Sequence, residues 1–163
     1  MYPSTSMNST VLLLAFLIGA IAGLRTMTAP AVVAWAANRH WLNLHNSPLA
    51  FTGSTAAVAV LTLLALGELV IDKLPSTPSR TRLLGLICRS VTGGVSGAAV
   101  AASGGQSIVP GVVLGVAGAI TGAFVGYEVR KRLVRSLDVP DFIIALLEDA
   151  VAIGGGLLIV SRF

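Results

Sequence analysis

Two arginines stand inside long apolar stretches of this sequence, and each has hydroxyl residues beside it. Arg25 lies in GLRTMTAP, and Arg89 lies in ICRSVTGG. On a helix, residues three positions apart are surface neighbours, so Thr28 shares a face with Arg25 and Thr92 with Arg89. A planar guanidinium next to hydroxyl donors suits a carboxylate or phosphate group. The pattern therefore predicts a binding site for a small anionic solute, made of four residues: Arg25, Thr28, Arg89 and Thr92.

Carboxylates in the same apolar stretches could balance these arginines. An ionised side chain at the centre of a spanning helix costs about 2.5–3.5 kcal/mol on insertion scales, so it normally has a partner. The candidates for counter-charges or proton-coupling groups are Glu68, Asp72, Glu148 and Asp149. Two interpretations stay open at this point. Either the arginines bind a solute, or each arginine is held by an acid in a structural ion pair.

Other kinds of chemistry have less support in the sequence. There is no phosphate-binding glycine loop, no nucleophile elbow and no metalloprotease helix. His40 and His45 lie in a polar segment without a nearby cysteine or carboxylate, so a metal site is not expected. We therefore expect neither an enzyme nor a bound cofactor.

The elements that must position these residues are membrane-spanning helices. Of 163 residues, 55% are hydrophobic and 11% are charged, against roughly 25% charged in soluble domains. Five stretches are long enough to cross about 30 Å of hydrocarbon: residues 11–37, 51–71, 83–102, 108–129 and 142–160. None alternates as a barrel strand would. The sequence predicts an all-α, polytopic transmembrane helical bundle of five spans, with a short tail (1–10) before a single domain (11–163).

The first span is predicted to be broken near Pro30. Proline lacks an N–H and clashes with the preceding turn, and the residue before it avoids the α region. We therefore expect two helical pieces with a distortion over residues 24–29. Broken helices at membrane depth form solute sites in several transporters, although a simple proline kink would leave the same signature.

Basic residues predict the orientation in the membrane. Seven of them lie in two predicted loops on the same side of a five-span chain: Lys73, Arg80, Arg82, Arg130, Lys131, Arg132 and Arg135. The positive-inside rule places that side in the cytoplasm. We expect a multi-pass protein of the bacterial inner membrane, with a cytoplasmic N-terminus and an outer C-terminus. Such short basic clusters do not form a nucleic-acid surface.

Two further patterns concern helix packing. Residues 25–28 (RTMT) echo residues 89–92 (RSVT), which predicts a duplicated two-span unit with parallel copies, unless the match is due to chance. Five glycines also lie on one narrow face of the fourth predicted span: Gly111, Gly115, Gly118, Gly122 and Gly126. We expect this face to pack closely against another helix, such as the one bearing Gly93 and Gly97, or against a second copy, rather than to line a pore.

The motifs GLRTMTAPAV, GELVIDKLPSTPSRT and ALLEDAVAIGGG resemble the bacterial integral membrane proteins grouped as domain of unknown function 4126. The resemblance extends from about residue 11 to the C-terminus. It implies an integral protein of the bacterial inner membrane and supplies no catalytic residue.

The leading expectation is a membrane protein that binds or passes a small anionic solute or ion. Its partners would be the lipid bilayer and a second copy of the chain, because five helices scarcely enclose a pathway. The alternative is a structural or accessory membrane protein whose buried ion pairs and glycine face serve packing and oligomerisation. A third hypothesis is a lipid-phosphate binder or membrane enzyme that holds anionic head groups with its basic loop.

Overall fold

The computed structural model describes residues 4–71, 83–137 and 140–163. Every regular element in this part of the chain is helical, which confirms the all-α prediction. The elements are α1 (Ser4–Leu24), α2 (Thr28–Asn38), a short 3₁₀ helix (Ala50–Gly53), α3 (Thr55–Ile71), α4 (Leu83–Ser103), α5 (Ile108–Leu137) and α6 (Asp141–Val160).

Residues 11–37, predicted as one span, form two helices that double back. α1 ends at Leu24 and α2 begins at Thr28. A Cβ built on Gly155 would lie 3.1 Å from Ile21 Cδ1, and one built on Gly156 would lie 3.3 Å from Val32 Cγ2. Ile21 and Val32 therefore lie beside adjacent residues of α6, whereas a straight helix would separate them by about 16 Å. The predicted break is confirmed, but a single crossing by residues 11–37 is not confirmed, because the chain reverses at the break.

Contacts at the far ends of α1 and α2 agree with this reversal. The side-chain amide of Gln106 donates to Asn8 Oδ1 at 2.7 Å, and the backbone N–H of Asn43 donates to Ser103 Oγ at 3.0 Å. Residues 8 and 43 thus lie at the same end of the bundle, beside the α4–α5 connection. We call this the Gln106 end, and the opposite end, which carries the α5–α6 connection, the Arg130 end.

Left-handed residues end two of the helices and direct the chain into the loops at the Gln106 end. After α2, His40 has a φ of 61°, and the N–H groups of Trp41 and Leu42 both donate to the Ala36 carbonyl. After α4, Gly105 has a φ of 69°. A left-handed residue with backbone bonds to the last turn is the usual way to satisfy the orphan carbonyls of a helix.

The glycine face of α5 packs against α1 and α4. A Cβ built on Gly97 would lie 2.5 Å from the Gly111 carbonyl oxygen, and one built on Gly93 would lie 2.6 Å from Ala119 Cβ. Further along α5, a Cβ on Gly118 would lie 2.9 Å from the backbone nitrogen of Ala20. The expectation of close packing, with Gly93 and Gly97 as partners, is confirmed. In these pairings α5 runs parallel to α1 and antiparallel to α4.

Successive helices alternate in direction, so both ends of the described chain lie at the Gln106 end. α3 runs antiparallel to α2, because Trp35 Nε1 donates to Thr62 Oγ1 at 3.0 Å while Glu68, further along α3, contacts the start of α2. The predicted combination of a cytoplasmic N-terminus and an outer C-terminus is not confirmed, because the chain reverses at residues 25–27 and both described ends lie at the Gln106 end. Helix α1 begins at Ser4, inside the predicted N-terminal tail (1–10), and the division into a tail and a single domain stays a prediction.

The predicted duplication is not confirmed. A parallel two-span repeat would give α1 and α4 the same direction, but a Cβ on Gly104 would lie 2.6 Å from Val11, and one on Gly93 would lie 3.5 Å from Ala22. The later residue of α4 thus lies beside the earlier residue of α1, so the two helices are antiparallel. The RTMT segment forms a turn, whereas RSVT lies within the continuous helix α4.

Among the described residues, three helices are long and apolar enough to cross a membrane, namely α4, α5 and α6, and two shorter apolar helices cover Asn8–Leu24 and Thr55–Ile71. These lengths identify a membrane protein without confirming five full spans. Ala22 lies opposite Gly93, the middle residue of α4, so the turn after Leu24 lies about 5 Å beyond the midpoint of that helix. The α1–α2 hairpin thus turns within the depth that α4 covers.

Candidate functional site

The turn between α1 and α2 is the centre of the candidate site. The first N–H groups of a helix have no acceptor within the helix itself. Here Glu68, on α3, supplies acceptors from outside. Its Oε1 accepts the backbone N–H of Thr26 and its Oε2 accepts that of Met27, both at 2.7 Å. One carboxylate therefore binds both N–H groups of the turn directly before Thr28, the first residue of α2, at the end of the helix where its dipole favours an anion.

Arg25 is the largest fully buried side chain in the described structure, with an exposed fraction of 0%. Its Nη2 lies 2.5 Å from Oδ1 of Asp149, on α6, whose side chain is 9% exposed. Its backbone N–H donates to the Ile21 carbonyl at 2.8 Å, which continues the last turn of α1. A buried guanidinium next to a carboxylate is the arrangement expected when an ionised group leaves water. Of the acids that the sequence proposed, Asp149 is thus brought to Arg25.

Arg89 lies at the same level of the bundle, on α4, and is 5% exposed. The level follows from the antiparallel pairing of α1 with α4, in which Ala22 lies opposite Gly93. One turn after Ala22 on α1 is Arg25, and one turn before Gly93 on α4 are residues 89–90, so Arg25 lies opposite these residues. The structure therefore brings the two predicted arginines into one buried layer from two different helices.

The two predicted threonines are placed differently. Thr28 is 4% exposed and begins α2, so it lies in the buried layer with Arg25. Thr92 donates its hydroxyl to the carbonyls of Cys88 and Arg89, at 3.0 and 3.2 Å, within α4. A hydroxyl that bonds back to its own helix is satisfied locally. At Thr92 the geometry matches the structural interpretation of the sequence.

Glu148 belongs to a second cluster of charges, at the Arg130 end. Its Oε2 lies 3.5 Å from Arg130 Nη1. Arg130 also donates to both carboxylate oxygens of Asp141, at 2.8 and 2.5 Å. Adjacent residues of a helix point about 100° apart, which is why Glu148 faces α5 while Asp149 faces Arg25. The sequence reasoning counted Arg130 only as a loop charge and overlooked Asp141, although opposite charges on both sides of a short connection were an available signal.

Two further residues complete the assignment. Asp72, the remaining predicted acid, lies outside the described residues. Ser96, which the sequence reasoning did not include in the site, is 0% exposed, and its hydroxyl oxygen has no hydrogen-bond partner within the described part of the chain. It follows Arg89 by seven residues, so it lies on the same face of α4, about 10 Å closer to the Gln106 end. The i+7 spacing of a polar residue from Arg89 was the signal that could have found it.

Comparison with known proteins assigns the family. A family model described as "Domain of unknown function (DUF4126)" matches residues 12–161. The chain belongs to this family. The match covers nearly the whole bundle, from α1 to the end of α6, so the buried charges all lie within the DUF4126 region. No curated protein and no solved structure matches the chain.

Proposed function

We propose that this DUF4126 protein binds a small anion at the α1–α2 turn and passes it across the bilayer, and that Glu68 occupies the anion position when no solute is bound. The observation that carries the proposal is the two-oxygen cap that Glu68 places on the N–H groups of Thr26 and Met27. Helix N-termini bind carboxylates and phosphates through such groups. A carboxylate on a tethered side chain can be exchanged there for an anion from solution.

The depth of the turn supports the same proposal. Irregular backbone within a membrane is tolerated where protein covers it or where it lines an aqueous cavity. Half-helices whose ends meet at such depth form the solute sites of several transporters. The layer also contains the buried guanidinium groups of Arg25 and Arg89, which provide positive potential for an entering anion. Ser96 lies on the same face of α4 as Arg89, two turns closer to the Gln106 end, and offers a hydroxyl to a solute that moves in that direction.

Charge balance suggests how entry is coupled to protons. Four charges of this layer sum to zero: Arg25, Arg89, Glu68 and Asp149. An extra buried charge without compensation costs several kcal/mol, so an anion that displaces Glu68 should enter together with one proton. The displaced carboxylate is the simplest acceptor of that proton. We therefore expect anion flux to rise as the pH falls.

The location belongs to the same proposal. The Arg130 end carries Arg130, Lys131, Arg132 and Arg135 on the described helices, and the positive-inside rule assigns such an end to the cytoplasm. We propose a bacterial inner-membrane protein whose α5–α6 connection is cytoplasmic and whose α1 begins on the outer side. The homodimer remains a prediction, and the mass of the purified protein in detergent tests it.

Anion flux into proteoliposomes tests the transport function directly. Wild-type protein should conduct at least one of chloride, nitrate, acetate and phosphate, with a faster rate at low pH. Glu68→Gln keeps the side-chain shape but removes the charge, so its flux should lose the pH dependence. Glu128→Gln is the matched control, because Glu128 pairs with Arg132 at 2.8 Å on the surface of α5. Absence of flux for all four anions at every pH would contradict transport.

Binding is tested separately by melting the protein in detergent. Each conducted anion should raise the melting temperature of the wild type in proportion to the logarithm of its concentration. Arg89→Gln should remain folded and lose this shift, whereas Arg39→Gln, at the opposite end of the bundle, should keep it. A shift that survives in Arg89→Gln would show that Arg89 does not contribute to the anion site.

A structural role is the second candidate, and two observations favour it. The Thr92 hydroxyl is satisfied by its own helix, and Arg25 already has a carboxylate at 2.5 Å. On this account the charges fix the position of the α1–α2 turn, and the protein supports a membrane assembly. No anion would then change the melting temperature or cross the bilayer through the protein, and Arg89→Gln would only reduce the stability of the fold.

A further inference from the structure

Helix α3 is attached to the bundle in a different way from α2 and α5. One of its seventeen residues, Val58 in the first turn, is buried, whereas nine of the eleven residues of α2 are buried. Its main neighbours among the described elements are α2 and the 3₁₀ helix. A Cβ built on Gly67 would meet nothing within 4 Å, whereas the glycines of α5 lie against the backbones of α1 and α4. Close packing of small residues is a main attraction between membrane helices, and α3 has little of it.

The start of α3 is anchored to the end of α2. Asn38 Nδ2 donates to the Gly53 carbonyl at 2.9 Å, and a Cβ built on Gly53 would lie 3.2 Å from Ala37 Cβ. The Ser54 hydroxyl accepts the N–H of Ala57 at 3.2 Å and caps the first turn of α3. The chain is therefore held in place immediately before α3 begins.

Beyond its first turn, α3 contacts α2 and the α1–α2 turn through two side chains. Thr62 Oγ1 accepts the indole N–H of Trp35 at 3.0 Å. Glu68 accepts the N–H groups of Thr26 and Met27, both at 2.7 Å, and it lies about 20 Å along the helix from the anchored start. The carboxylate that fills the anion position thus also holds the far end of α3 in place.

We propose that α3 is the gate of the anion site: it rotates about its anchored start, and the contact of Glu68 with the turn keeps it closed. The inference rests on the proposed function, because an anion that displaces Glu68 also breaks this contact. The Trp35–Thr62 hydrogen bond then remains, and such a bond between membrane helices favours the closed position by about threefold. Binding of the anion and opening of the gate are therefore one event.

Distances measured in bilayers by electron spin resonance test the rotation. One spin label is placed on α5 at Val113→Cys, and the other on α3 at Val60→Cys or Leu66→Cys, in a Cys88→Ser background. Val60 and Leu66 are 55% and 54% exposed, so a label disturbs both positions equally. They lie about 9 and 18 Å from the hinge. In Glu68→Ala the distance to residue 66 should therefore change about twice as much as the distance to residue 60.

Two further variants make this result decisive. Glu128→Ala is the matched control, because Glu128 pairs with Arg132 on the surface of α5, and it should change neither distance. Glu68→Gln keeps the shape of the side chain and loses one acceptor, so it should give a smaller change in the same ratio. Unchanged distances in both Glu68 variants would overturn the gate, even in a protein that conducts anions. Equal changes at residues 60 and 66 would also overturn it, because α3 would then move as a whole.

Anion flux tests whether the rotation limits transport. Thr62→Val removes the contact with Trp35 and leaves Glu68 in place, so it should raise the flux about threefold, the effect of one hydrogen bond between membrane helices. Thr121→Val is the matched control, since the Thr121 hydroxyl donates to the Ala117 carbonyl within α5. Unchanged flux in Thr62→Val would contradict α3 as the gate. A rotation in a protein that conducts none of the four anions would support the hinge and contradict the transport function.

Discussion

Gly115 offers a direct test of how closely the helices pack. It lies where α4 and α5 meet, opposite Gly93 and Gly97. A Cβ built on Gly115 would overlap the Gly93 carbonyl oxygen and would lie 2.9 Å from the Gly93 carbonyl carbon and 3.1 Å from Gly97 Cα. Non-bonded carbon atoms prefer about 3.5–4.0 Å. Since all three neighbours are backbone atoms that no rotamer change can move, Gly115→Ala has to push α4 away from α5 by roughly 1 Å.

The size of the effect follows from two opposing contributions. Overpacking of a well-filled interface costs about 1–3 kcal/mol. The displaced helices also leave a gap of up to about 1 Å elsewhere, and each contact across that gap loses a quarter to a half of its van der Waals attraction. The cost of overpacking therefore lies in the upper part of the 1–3 kcal/mol range. Alanine returns about 1 kcal/mol through its better helix propensity. We expect Gly115→Ala to lower the free energy of unfolding by about 1–2 kcal/mol.

Gly154→Ala is the matched control. It lies inside α6, and a Cβ there would meet nothing within 4 Å, so only the propensity gain of about 0.5–1 kcal/mol remains. Reversible unfolding in mixed detergents, followed by the fluorescence of Trp35 and Trp41, measures both variants. Equal stability of Gly115→Ala and Gly154→Ala would show that α4 and α5 are not in backbone contact.

The buried charges and the α1–α2 turn give the remaining predictions. Arg25→Met and Asp149→Leu should each destabilise the fold by about 3–5 kcal/mol, and the double variant should recover most of the loss; strictly additive losses in the unfolding titration would refute the pair. Glu68→Ala should cost about 1–2 kcal/mol by uncapping α2, with Glu128→Ala nearly silent in the same titration; equal effects would argue against the cap. Pro30→Ala should leave the melting temperature almost unchanged, because the first-turn N–H is unpaired within the helix anyway, and a large drop would place Pro30 in a different role.

The sequence predicted the helices well because hydrophobic length is a local property. It also predicted the break before Pro30 and the close packing of the α5 glycines, since both depend on residue types that act over one or two turns. It could not predict that the chain reverses at residues 25–27. A kink and a hairpin share the same local signature, and contacts with residues far away in the chain, on α6 and in the α4–α5 connection, decide between them.

The candidate site shows the same limit. Arg25 and Arg89 were found because an ionised group in an apolar helix is conspicuous in any sequence. The sequence could not show which acid pairs with which arginine, because Glu148 and Asp149 are neighbours in the chain but face different helices. The cap by Glu68 was also out of reach, because it depends on where α3 passes the turn, which is a property of the fold and not of any segment.

The distance between residues 8 and 43 tests the re-entrant hairpin most directly. Spin labels at Asn8→Cys and Asn43→Cys, both exposed positions, can be measured in bilayers by electron spin resonance with the exposed native thiol removed as Cys88→Ser. The contacts of both residues with the segment from Ser103 to Gln106 predict a Cα separation below about 25 Å. A separation near 50 Å, the length of 35 residues of continuous helix, would contradict the account.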